Sequence, residues 1–193
     1  MYNFLVLEGI DGSGKSTVAH LLNNESDIYA FESPPALFSP IKQSILESAA
    51  PLARLTYFLA GNMQISEDIK DLVKQKHVVC VRYIFSTIAY HAALENIGVE
   101  DVMPIIRGYI KQLILPNIVA FLDVSREAQL SRLKDRIDDS LQSKLTASED
   151  FQMRLRKAYI DTQNAFNIPW ENINTELSSK QEIIDKIKSL IQN

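Results

Sequence analysis

The run Gly9-Ile10-Asp11-Gly12-Ser13-Gly14-Lys15-Ser16-Thr17 constrains this chain more than any other feature. It fits G-x-x-x-x-G-K-[ST], follows the apolar segment Phe4 to Leu7, and opens a helical pattern from Lys15 to Leu22. Strand, glycine loop and helix in that order make a phosphate cradle. The glycines let successive backbone N–H groups turn into one concavity, and the helix N-terminus adds positive potential. Lys15 is placed to reach the β- and γ-phosphates of ATP, and the Ser16 hydroxyl to ligate Mg²⁺ with Thr17 beside it. Gly9, Asp11, Gly12, Ser13, Gly14, Lys15, Ser16 and Thr17 form the expected ATP-binding set. The loop does not say what receives the phosphate. The chain carries no Asn-Lys-x-Asp guanine motif and is too short for most motor ATPases, which points to a small-molecule kinase.

Four short apolar runs read as buried parallel strands: Phe4 to Leu7, Ile28 to Phe31, Val78 to Val81 and Ile118 to Leu122. Trp170 to Ile173 is a weaker fifth. Helical patterns lie between them at Ile41 to Ser48, Leu52 to Val73, Phe85 to Glu95, Asp101 to Leu115, Ala128 to Arg136, Ser148 to Phe166 and Lys180 to Ile191. Strand alternating with helix predicts an α/β fold of three layers, a five-stranded parallel sheet covered on both faces. Pro34, Pro35 and Pro40 break the chain after the second strand. The polar stretch Ile137 to Ala147 predicts a flap between two helices, a short lid at about residues 136–147.

With 193 residues the chain fits one domain. Its formal net charge of −4 argues against a general nucleic-acid binder, while leaving room for a small anionic substrate held by a few local cations. Cys80 is the one cysteine, so no intrachain disulfide is possible, and its apolar neighbours mark it as a core residue. No His or Cys spacing suits a metal site. The start lacks the features of a signal peptide, and no apolar run reaches the ~20 residues of a membrane span. A soluble, cytoplasmic protein without nucleic-acid or membrane partners is expected.

Four segments in order resemble the thymidylate kinases over Phe4 to about Lys188. They are Leu7-Glu8-Gly9 through Thr17, Arg82-Tyr83-Ile84-Phe85-Ser86-Thr87-Ile88-Ala89-Tyr90, the pair Leu115-Pro116-Asn117 and Leu122-Asp123-Val124, and Glu149-Asp150-Phe151 with Arg154 to Tyr159. The resemblance implies phosphoryl transfer from ATP with Mg²⁺ to dTMP by a homodimer. It further implies roles. Asp11 would lie near the 3′-hydroxyl of the acceptor, Arg82 would hold its phosphate, and Phe58 would stack on the base. Ser86 and Thr87 would face the base, and Tyr90 would crowd the 2′ position. Gly12 leaves the loop without an arginine, so Arg132 and Arg136, four residues apart on one helix face, would bring positive charge with the lid.

The chain also departs from that pattern. Val81 replaces the acidic residue before Arg82, and Glu8 is the expected substitute near Mg²⁺. Asn62 stands where the family has an arginine near the base, the stretch Phe31 to Pro35 lacks an arginine, and His91 replaces a common Gln. Two other readings stay open. Glu32, just after the second strand, could act as the base of a deoxynucleoside kinase, whose neutral hydroxyl acceptor needs one. Alternatively, a degenerate nucleotide-binding protein would tolerate Val81 and the missing arginines.

Overall fold

The computed structural model describes residues 3–134 and 141–192. In chain order the elements are β1 (Phe4–Gly9), α1 (Lys15–Leu22), β2 (Ile28–Glu32), a 3-10 turn (Ser39–Ile41) running into α2 (Lys42–Ser48), and α3 (Pro51–Leu72). There follow β3 (His77–Val81), α4 (Ile84–Glu95), α5 (Val99–Ile110), β4 (Ile118–Asp123) and α6 (Arg126–Leu133). The chain continues with α7 (Leu141–Ala147), α8 (Glu149–Ala165), β5 (Trp170–Asn174) and α9 (Lys180–Gln192).

The strands form one parallel sheet in the order β2-β3-β1-β4-β5. A parallel strand needs a crossover and is covered on both faces, which is why the central strands read as unbroken apolar runs. Side-chain alternation divides the core in two. Phe4, Val6, Val78, Cys80 and Val119 pack beneath α3, α4, α5 and α8. Leu5, Leu7, Val79, Val81, Ala120 and Leu122 pack beneath α1 and α9 on the other face. Burying each such aliphatic side chain is worth about 1.5–3 kcal/mol. From β1 the chain crosses to β2 at one edge. From β3 it passes over β1 to β4 on the other side. The carboxyl ends of the strands near that reversal open a crevice, where ligands bind in sheets of this kind.

The five strands and the α/β class agree with the sequence reading. Two helices differ. The pattern Asp101 to Leu115 predicts a longer helix than α5, whose last turns give way to Gln112 N–H on Tyr109 O and Leu113 N–H on Ile110 O. Pro116 disfavours helical backbone at Leu115, so the chain straightens before β4. The expected flap is partly helical: α7 fills its second half. Among the described residues, no helix is long and apolar enough to cross a membrane.

Candidate active site

The loop between β1 and α1 has the strand–loop–helix setting that its spacing predicts. Gly9 has φ +139, and a Cβ there would fall 2.2 Å from the carbonyl oxygen of Leu122 on the adjacent strand. Gly12 has φ +81 and lies against Leu133 of α6, whose Cδ1 would stand 3.0 Å from an added Cβ. An arginine in the loop at this position is thus disfavoured by backbone and by packing. Lys15 is 6% exposed and donates to Gly9 O at 2.9 Å, Ile10 O at 2.7 Å and Ser13 Oγ at 3.3 Å. Burial, and then the nearby Arg82 guanidinium, lower its pKa to about 7. Lys15 therefore rests on its own loop's carbonyls and gains from an incoming anion. Gly12, Ser13, Gly14, Lys15, Ser16 and Thr17 line a cleft of about 640 Å³ together with Asp11, Glu32, Lys42, Val81, Arg82 and Arg132.

Arg82 sits at the end of β3 with φ 64, left-handed backbone that a non-glycine residue adopts only under constraint. Its N–H donates to Leu7 O, fixing the turn to β1. The bend aims the guanidinium at the loop rather than along the strand. One nitrogen donates to Asp11 Oδ1 and, at 3.0 Å, to the Tyr90 hydroxyl. The other donates to Ser86 Oγ at 3.2 Å. The guanidinium carbon lies 4.8 Å from the centre of the Tyr90 ring. The Tyr90 hydroxyl in turn donates to Asp11 Oδ2 at 3.2 Å. Asp11 of the phosphate loop thus joins Arg82, Ser86 and Tyr90, spaced four residues apart from the end of β3 into α4, in one hydrogen-bonded group.

Glu8 corrects an expectation. Its side chain points to the face under α4 and α8, opposite Val81, and is fully buried. It accepts hydrogen bonds from Tyr83 N and Ser86 N, both at 3.1 Å, from Ser86 Oγ, and from the Tyr159 hydroxyl at 3.1 Å. Burial raises its pKa, while Ser86, Arg82 and the two backbone N–H groups act in the opposite sense. Glu8 is spent on holding α4 and does not line the phosphate cleft, so it does not replace the absent carboxylate at 81. Glu32 is better placed. It pairs in register with Val81 on the neighbouring strand, so the two side chains share a sheet face, and both line the cleft. Among the described residues, no cluster of three or more His, Cys, Asp or Glu side chains forms a preformed metal cage. Mg²⁺ in such sites keeps several waters and uses one or two carboxylates plus substrate phosphates. Ser16 and Glu32 on one cleft suit that donor set.

A second, narrower cavity of about 90 Å³ adjoins the first. Its walls include Leu46, Leu55, Phe58, Ser86, Thr87, Tyr90, and Arg54 with His91. Phe58, Ser86, Thr87 and Tyr90 are therefore brought together on the wall of one cavity. Asn62 is not on the wall. It is fully buried behind it, donating from Nδ2 to Thr87 Oγ1 at 2.8 Å, with its Oδ1 unsatisfied. It sets Thr87 rather than facing a ligand. Arg54 pairs with Glu95 at 2.5 Å and His91 is buried beside them. Burial lowers the His91 pKa, keeping it neutral.

Arg132 lines the phosphate cleft but is already anchored. It donates to Gly12 O at 3.2 Å, to Thr175 Oγ1 at 2.9 Å and to Thr175 O at 2.9 Å. Its charge is present at the loop in this conformation, on α6. Arg136 lies outside the described residues. Sequence reasoning missed Lys42, Arg54, Tyr159 and Gln129. Gln129 is fully buried and donates to Asp11 O at 2.8 Å, tying α6 to the phosphate loop. No motif marks Lys42, which follows a proline-rich connection. Tyr159 stood inside a segment already matched to the family and could have been asked for a role.

The family model for thymidylate kinase matches residues 7–187. A probable thymidylate kinase of Methanocaldococcus jannaschii is 30% identical over 98% of this chain and 96% of its own length. A thymidylate kinase of Mycoplasma genitalium is 27% identical over 97% and 93%. Among solved structures, thymidylate kinase from Candida albicans superposes with a TM-score of 0.73 at 20% identity, covering 99% of this chain and 91% of that one. Deoxyadenosine kinase from M. mycoides with bound dATP gives 0.69 at 19% identity, covering 98% and 100%. The structural likenesses support the P-loop kinase fold. With the matched family model spanning nearly the whole chain, the protein belongs to the thymidylate kinase family of phosphotransferases.

Proposed function

We propose that the protein transfers the γ-phosphoryl group of ATP to dTMP, giving ADP and dTDP. The observation that carries the reading is Arg82, which lines both the phosphate cleft and the apolar cavity and so stands where donor and acceptor phosphates meet. An acceptor phosphate has a second pKa near ~6 and is mostly a dianion at neutral pH. One of its oxygens bonds to the γ-phosphorus as the bridging oxygen leaves with ADP. That step needs in-line positioning and positive charge rather than a general base. Lys15 and Arg132 supply charge on the donor side, and Arg82 on the acceptor side. Arg136 adds to it from the lid at residues 136–147. Phe58 stacks on the base, Thr87 and Ser86 lie at its edge, and Tyr90 and Asp11 border the sugar. Ser16 would hold Mg²⁺, with Glu32 on the same cleft beside it, and the ion would supply positive charge to the donor phosphates. Glu32 lines the phosphate cleft and not the apolar cavity, which favours this role over that of a base for an acceptor hydroxyl. The protein works in the cytoplasm as a homodimer, for which exposed Leu52, Ile105 and Tyr109 offer apolar surface. A coupled ADP-release assay with dTMP, dUMP and thymidine tests the reading. Turnover of thymidine without dTMP would refute it, as would ATP binding with no turnover of any nucleotide. Sedimentation at micromolar concentration tests the dimer.

A further inference from the structure

Three residues line both cavities: Ser33, Lys42 and Arg82. The transferred group must pass through this junction, so its charges bear on the reaction directly. Arg82 is committed to Asp11 and Tyr90. Lys42 is different. It is half-buried at the start of α2, and its ammonium makes no hydrogen bond or ion pair among the described residues. Burial lowers its proton affinity, and the Arg82 guanidinium lowers it further, while Asp11 and Glu32 act in the opposite sense. Two cations thus converge on a partly desolvated point, and one of them lacks a contacting counter-ion. Such an arrangement is costly by itself and becomes favourable when an anion occupies the space between the charges.

The side of the junction follows from the neighbours. Lys15 and the loop N–H groups already serve the donor. Lys42 shares the apolar cavity with Leu46, Leu55 and Phe58, and it follows the β2 connection, where Phe31 to Pro35 holds no arginine. We propose that Lys42 contacts the acceptor phosphate and, with Arg82, forms a two-cation clamp at the meeting point of the cavities. This rests on the monophosphate-kinase reading above. A charge-assisted contact of this kind is worth on the order of 10- to 100-fold in affinity.

The test compares Lys42→Met and Lys42→Arg with wild type. The expected result for Lys42→Met is a KM and a Kd for dTMP raised at least about tenfold. Its inhibition constant for thymidine, which lacks the phosphate, and its Kd for ATP should stay within about twofold, and Lys42→Arg should recover most of the loss. Unchanged dTMP binding overturns the proposal. Equal weakening of dTMP and thymidine overturns it too, making Lys42 a wall of the cavity. Weakening of ATP alone would place the charge on the donor side and has the same force. Wild-type protein that does not phosphorylate dTMP would instead remove the reading on which the proposal stands.

Discussion

Lys15 gives the sharpest quantitative expectation. Its folded-state pKa of about 7 lies some 3.5 units below the ordinary value of 10.5, with burial the first cause and Arg82 the second. The shift corresponds to on the order of 5 kcal/mol between its two protonation states. Between pH ~7 and ~10.5 the folded protein binds fewer protons at this site than the unfolded chain. Lys15 therefore penalises stability fully below about pH 7, and the penalty is relieved as pH rises toward 10.5. Nucleotide phosphates reverse the balance by supplying the counter-charge. At pH 8 about 0.9 of the unliganded side chains are neutral, and at pH 6 about 0.1, so binding must take up that fraction of a proton. Calorimetric titration with a non-hydrolysable MgATP analogue measures it, as the slope of observed enthalpy against buffer ionisation enthalpy. The Lys42→Met background removes the other ammonium whose proton affinity is lowered by burial and by Arg82. An uptake near ~0.9 at pH 8 that falls to ~0.1 at pH 6 is expected. An uptake below ~0.2 at pH 8, or one that does not fall with pH, would refute the assignment of a neutral resting Lys15.

Three further outcomes follow from the geometry. Glu32→Ala should raise the Mg²⁺ concentration needed for half-maximal activity by about tenfold, and adding Val81→Asp should restore much of it, because both positions share a sheet face; no restoration would remove the carboxylate exchange between strands. Glu8→Gln puts an NH₂ among four donors, so it should cost about 1–3 kcal/mol and lower Tm by about 2–10 °C in a thermal melt. An unchanged melt would mean that the Glu8 network does not support α4. Gly12→Arg, which would install the absent loop arginine, should instead destabilise by about 1–3 kcal/mol in urea unfolding, through the positive φ and the contact with Leu133; equal stability would show that the loop can yield there.

The layers and strand count were legible in the sequence because β1, β3 and β4 are buried on both faces and carry little else than apolar side chains. The phosphate loop was legible for a related reason: its chemistry is local, and nine consecutive residues hold it. Glu8 was misread because strand adjacency does not reveal which face a side chain takes. A shift of one position along a strand reverses the face, and Glu8 and Val81 fall on opposite ones. Asn62 was placed on the base for want of depth information, since one helix turn separates a wall residue such as Phe58 from one that supports it. Lys42 was invisible because its significance comes only from what the β2–α2 connection brings it to face.

Arg82 carries a consequence for how such a protein evolves or is engineered. Its φ of 64 is conformational territory where glycine is at ease and arginine is not, at a cost on the order of 1–2 kcal/mol. Glycine at this position would relieve that backbone cost and nothing else. The same change would strip the guanidinium from Asp11, Ser86 and Tyr90, leave the largely buried Asp11 carboxylate without its counter-ion, and remove the group proposed to grip the acceptor. At residue 82 the backbone alone therefore favours glycine, while the buried ion pair and the site chemistry both favour arginine, so the left-handed turn is tolerated for the side chain it aims.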